Sequence, residues 1–371
     1  MIRFRRTSAG VAAVALGALG LVAAASPAEA APTAPAAAGT AAAHSRLTPA
    51  ADLSAARKRA AAYWTPARMR AAKEMPAPAG TTSTSRTAQA AAPHGAAGRA
   101  NPATPDPVAA RASLALGTPS AGAGGTATTF ALSQGQQWVG GLPSTAFGRA
   151  FFTDDLGGNY SCTAESLASD SGNALLTAGH CVVNASNGHW YNWNYQTNTW
   201  GNWIFVPGYR DGVAPYGLWY AYQLWTASAY LSTQGDGRYD MAAVVMNTNA
   251  YGYHLQDVVG SEGMEWNYPL VQDDTVFGYP GTGSPEFNAE RLIYCQGTTY
   301  SDAWGREQIN CNQGHGASGG AWLDDFDGNY GWANSVVSTG TELTPYGTVT
   351  TDIGPYFGDA AYSLWSSVRY L

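Results

Sequence analysis

At about Phe130 the chain changes material, and that break limits what either side of it can fold into. Residues 31–129 are dominated by Ala, Pro, Gly, Ser and Thr, a composition that buries too little apolar surface to offset the entropy of ordering a chain. From Phe130 onward Trp, Tyr, Val and Gly take over, and twelve of the thirteen Trp and all four Cys lie there. The folded domain is therefore expected over 130–371, long enough for one large β domain or two fused barrels. Ahead of both, a basic start (Met1 to Arg6), an apolar stretch (Val11 to Ala25) and the site Ala28-Glu29-Ala30 make the pattern of an export signal. The apolar stretch is short for a membrane span. The expected division is a signal peptide over 1–30, a basic pro-region and linker over 31–129, and one domain over 130–371, secreted and with no membrane partner.

Charge divides at the same boundary. Residues 31–129 carry ten Lys or Arg against three Asp or Glu, whereas 130–371 carry six Arg, no Lys and twenty-two Asp or Glu. A domain so acidic repels a phosphate backbone, which argues against nucleic acid as its partner. An acidic surface serves solubility, and it also suits a basic leader held against the domain until removal. Four cysteines in an exported chain read as two disulfides, with three possible pairings. Cys162–Cys181 and Cys295–Cys311 are preferred because each closes a short loop, worth roughly 3 kcal/mol in chain entropy. No Cys-x-x-Cys spacing suggests a metal site, and no metal or other cofactor is expected.

Short apolar segments punctuated by Gly, Asn and Asp run from Phe147 to about Thr350. Phe147 to Phe152 reads as a strand, Asp154 to Asn159 as a turn, and Tyr160 to Ala164 and Asn173 to Ala178 as the next strands. That density of short strands points to barrels or a sandwich. Gly358 to Leu371 reads as a helix capped by Asp359. In the leader, Thr48 to Ala72 has helical character interrupted near Tyr63 to Met69, and 76–128 reads as a linker without periodicity. The acidic run Asp324-Asp325-Phe326-Asp327-Gly328 lacks the first ligand and the closing Glu of a calcium loop, so it reads as a hairpin turn. The aromatic residues between Trp190 and Tyr230 read mostly as barrel packing and cleft walls rather than as a sugar platform.

The chemistry is concentrated in two strings. Thr177-Ala178-Gly179-His180-Cys181 offers an imidazole at the end of a strand. Gly316-Ala317-Ser318-Gly319-Gly320 sets a serine between glycines, where a tight turn exposes its hydroxyl and aims backbone N–H groups at a developing oxyanion. A serine hydroxyl is a weak nucleophile at neutral pH until a base takes its proton. Between the strings, Asp240 opens the apolar run Met241 to Val244; its rivals Asp211 and Asp236 sit in turn-like settings where Asp is expected anyway. The ordered set resembles the chymotrypsin-like (trypsin-fold) serine peptidases. The resemblance covers about residues 140–371 and implies an all-β fold of two six-stranded antiparallel barrels with a short C-terminal helix. It makes His180 the general base, Asp240 its orienting carboxylate, Ser318 the nucleophile, and the N–H groups of Gly316 and Ser318 the oxyanion donors. The leader is similar to pro-regions of exported actinobacterial serine peptidases. The implied protein is a secreted serine endopeptidase working through an acyl-enzyme, a monomer with protein or peptide substrates and its own pro-region as partner. A non-catalytic binding or adhesion module on the same fold, and an esterase using the same residues, are the alternatives.

Some positions depart from the family pattern. Ala317 stands where members often carry an Asp that pairs with a new N-terminus, so activation is expected to proceed by displacing the pro-segment. The segments Trp203 to Tyr209 and Ala214 to Trp219 are similar to the bacterial glutamyl-endopeptidase branch. That branch tends to hold a histidine beside the strand edge at Ser338, where Val337 and Thr339 stand here. Asn312 replaces the acid with which trypsin-like members select Lys or Arg. The implied substrate-binding residues are Asn312, His315, Ser338, Thr339 and Gly340, with neither a glutamate nor a strict basic preference expected.

Overall fold

The structure, a computed structural model, describes residues 41–77, 95–113, 132–342 and 349–371. Alternation along Phe147–Thr153 (β1) buries both of its faces. Phe147 and Phe151 enter a cluster that also holds Trp64 and Phe277, while Ala150 and Phe152 enter one with Leu175, Trp203 and Val244. β1 pairs with Asn159–Leu167 (β2), which pairs with Ala174–Thr177 (β3). Ile204–Pro207 (β4), Trp219–Ala227 (β5) and Ala242–Met246 (β6) complete a ring in the order β1-β2-β3-β6-β5-β4, closed by β4 on β1. Every pairing in this barrel is antiparallel. β5 outruns β4, and its far end, Trp225 to Ala227, takes the leader strand Ala42–His44 as a further neighbour.

The second half is built from Gly263–Trp266 (β7), Asp273–Gly278 (β8), Ile293–Thr298 (β9), Glu307–Ile309 (β10), Ala321–Asp324 (β11), Trp332–Val336 (β12), Thr339–Glu342 (β13) and Val349–Gly354 (β14). One sheet has the order β7-β12-β11-β8-β9, with leader strand Gly98–Ala100 on one edge and Leu132–Gln137 on the other. A smaller sheet joins β10, β14 and β13. The architecture is thus the all-β, trypsin-like one: a closed six-stranded barrel, a second half arranged as two sheets, and the terminal helix Asp359–Val368. That helix buries Leu364 and Trp365. Its cap is Gly358, not the expected Asp359; the Asp359 carboxylate accepts instead from Gly95 N–H at 3.0 Å and Asn267 Nδ2 at 2.7 Å.

The leader is folded onto this body. Its helix Ala50–Tyr63 stops at Trp64 and Thr65, as a following proline requires, and Pro66–Ala71 restarts with Thr65 Oγ1 accepting from Arg68 N–H. Within the stretch that reads as linker, Gly98–Ala100 is a strand on β7 and Pro107–Ser113 a helix. Arg99 explains the strand: it pairs with Glu265, Asp324 and Asp325 at 2.7–2.8 Å. Among the described residues no helix is long and apolar enough to cross a membrane.

Candidate active site

β3 ends at Thr177 and the chain turns through Gly179–Cys181 as a single 3-10 turn carrying His180. Glycine suits 179, where a Cβ would crowd both the Tyr230 ring and an Asp240 oxygen at 3.0 Å. The Cys162–Cys181 disulfide ties this turn to β2, with the Cα atoms 6.2 Å apart. His180 N–H donates to Asp240 Oδ1 at 2.8 Å, and Nδ1 lies 2.8 Å from Oδ2. Ser338 Oγ donates to the same Oδ2 at 2.6 Å. Burial works against a charge on Asp240, yet His180 and the Ser338 hydroxyl outweigh it and hold the carboxyl below its usual range. A carboxylate at Nδ1 fixes the proton there and leaves Nε2 as the base. Nε2 is buried and has no hydrogen-bond partner among the described residues, so Ser318 Oγ is not bonded to it in this state.

Ser318 is held from the other side. Its carbonyl accepts from Thr163 N–H at 2.8 Å and lies 3.9 Å from Cys181 Sγ, which couples the serine turn to the disulfide beside His180. Gly319 has φ +86°, and a side chain there would collide with Thr177 Oγ1 and the Thr163 carbonyl. Ala317, Gly319 and Gly320 spend their N–H groups on turn and ladder bonds, whereas those of Gly316 and Ser318 take no part in such bonds among the described residues. Ala317 is buried with Val337 and the second disulfide, Cys295–Cys311, whose Cα atoms are 5.7 Å apart.

A cavity of about 40 Å³ opens beside Ser318, lined by Gln313, Gly314, His315, Val337, Ser338, Thr339, Gly340 and Ala77 of the leader. Four of the five sequence-derived substrate residues therefore meet at one place. Asn312 does not join them: it accepts from Gly135 N–H at 2.7 Å and donates to Gln134 at 3.2 Å, bracing the strand Leu132–Gln137. Gln313, Gly314 and Val337 also line the cavity without having been singled out as substrate residues, although each adjoins a named residue. Asp211 has φ 49° and pairs with Arg291, and Asp236 caps the turn Gly237–Tyr239 and pairs with Arg238, so neither rival reaches His180. Tyr191 stacks on Phe152 and Trp203 donates to the Cys181 carbonyl, so these aromatic groups are packing.

The leader crosses this site. Lys73–Glu74 pairs in parallel with Tyr160 and Ser161 of β2, and Met75 N–H donates to the Ser161 carbonyl at 3.0 Å. The Glu74 side chain lies against Gly281 and Gly316, and Ala77 reaches the cavity.

No protein-family model matches the chain, and no curated protein matches it. Among solved structures it is similar to the protease Anisep from Arthrobacter nicotinovorans, at 34% identity and TM-score 0.55 over 64% of this chain and 100% of that one. It is also similar to the thermostable serine protease AL20 from an extremophilic microorganism, at 28% identity and TM-score 0.53 over 62% and 98% of the two chains. A Glu endopeptidase in complex with MPD aligns at 21% identity and TM-score 0.46, over 62% and 91% of the two chains, too low a likeness to assign a branch.

Proposed function

Because this chain belongs to the trypsin-fold serine peptidases, we propose that it is a secreted serine endopeptidase with Ser318 as its nucleophile. The observation that carries the reading is the hydrogen-bonded series Ser338–Asp240–His180 beside a glycine-framed serine. His180 Nε2 takes the Ser318 proton as Oγ attacks the scissile carbonyl, and the oxyanion settles against the N–H groups of Gly316 and Ser318. His180 then gives that proton to the leaving amine, and an acyl group remains on Ser318 Oγ. Water, deprotonated by the same nitrogen, releases the acid and restores the serine. Asp240 stays ionised and holds the imidazolium that forms in each half. Residues 31–129 act as a pro-region whose removal opens the cleft. The export signal and two disulfides support an extracellular site of action.

The test is peptide hydrolysis by the full chain after release of its leader, beside Ser318→Ala. Hydrolysis is expected to fall about 10⁶-fold in the variant. Equal hydrolysis in both would overturn the assignment of Ser318, and none from folded, leader-free protein would favour a binding module. Hydrolysis of esters alone would make it an esterase.

A further inference from the structure

We propose that residues 41–77 form an inhibitor that crosses the cleft in the direction opposite to a substrate; this rests on the peptidase reading above. The reaction itself fixes substrate direction. The residue whose carbonyl is attacked places its side chain in the cavity beside Ser318, walled by His315 and Gly340. The leaving nitrogen must face His180 Nε2, its only source of a proton here. Beyond His180 lies the disulfide to Cys162, the next residue after Ser161. A substrate read from N to C therefore runs from the cavity toward Ser161. Strand β2 approaches the same centre as its numbering rises, so the departing half of a substrate lies antiparallel to it. The leader does the reverse. It is parallel to β2 at Lys73 and Glu74, bonds Ser161 through Met75, and reaches the cavity afterwards, at Ala77. A carbonyl presented this way has its amide nitrogen on the cavity side, where His180 cannot protonate it, so the segment blocks the site without being consumed.

Binding strength comes from outside the cleft. Trp64 is 2% exposed and donates to the Asn202 carbonyl, Tyr63 Oη donates to Asn159, and Ala42–His44 extends β5. The experiment uses the full chain, Trp64→Ala to weaken the anchor and, in case that variant misfolds, Met75→Pro to remove the bond to Ser161. Hydrolysis of a fluorogenic peptide is expected to rise at least about 100-fold in either variant, the loss of a tethered inhibitor. Mass spectrometry should then find Ser318-dependent cuts only outside 73–77. A Ser318-dependent cut inside 73–77, or variants as silent as the parent, would overturn the reversed direction. A fluorophosphonate that fails to label Ser318 in the folded variants would instead overturn the peptidase reading.

Discussion

Asp240 carries its charge with none of its side chain in water, and its three bonds, to His180 N–H, His180 Nδ1 and Ser338 Oγ, are the reason. Replacing it by Asn keeps the size and removes the charge that stabilises an imidazolium. Steady-state kinetics of Asp240→Asn should show kcat down about 10⁴-fold with KM little changed. Ser338 acts one step further out. Its hydroxyl bond helps to hold the carboxyl below the usual range, so Ser338→Ala should cost roughly tenfold in kcat. The same change has a signature in stability. A carboxyl with a depressed folded pKa contributes stability above its unfolded pKa and loses it as pH falls through the lower, folded one. Acid unfolding of Ser338→Ala should therefore begin at a higher pH than that of the parent, and coincident acid-unfolding curves would deny the bond its role.

At the scale of elements, what sequence revealed and what it concealed divide by the range of the forces involved. β1, β2 and β3 were legible because short apolar runs bounded by turn residues report burial directly, and the strings at His180 and Ser318 were legible because glycine is demanded locally. Gly319 shows how firmly: with φ +86° and Thr163 and Thr177 against it, Gly319→Ala should lower the thermal midpoint by several degrees, read by differential scanning calorimetry. The direction of Asn312 was not legible. It is set by Gly135 and Gln134, 177 and 178 positions away, and no local pattern encodes such a bond. Asn312→Ala is thus expected to destabilise by about 1–2 kcal/mol, through the orphaned Gly135 N–H, without altering residue preference. Gly98–Ala100 escaped notice for the same reason, since its strand exists only where β7 and three carboxylates receive it. Asp359 was misplaced by one position because the bonds that claim its carboxylate come from Gly95 and Asn267.

Over the whole molecule, an acidic body meets a basic leader, and the meeting has a buried side. Asp274 is almost wholly enclosed in the second half, hydrogen-bonded to Asn334 at 3.0 Å. Burial first, and then the charges of Asp324, Glu265 and Asp273, push its pKa up to about 8 against the opposing pull of Asn334. Arg99 of the leader pairs with two of those same neighbours, Glu265 and Asp324. The folded chain therefore keeps a proton on Asp274 that the unfolded chain sheds near its ordinary pKa of 3.8. Between about pH 4 and 8 the folded state binds the extra proton, so stability falls as pH rises through that window. One such group contributes a slope of at most about 1.4 kcal/mol per pH unit. Asp274→Asn keeps the shape and a hydrogen-bonding group while deleting the titration. Urea unfolding of the full chain at pH 5, 7 and 9 should show the parent losing stability with rising pH and Asp274→Asn losing measurably less. Equal slopes would place the proton elsewhere. Arg99→Ala acts in the opposite sense, because the carboxylates it leaves unpaired raise the cost of ionising Asp274, and the decline with pH should persist to higher pH.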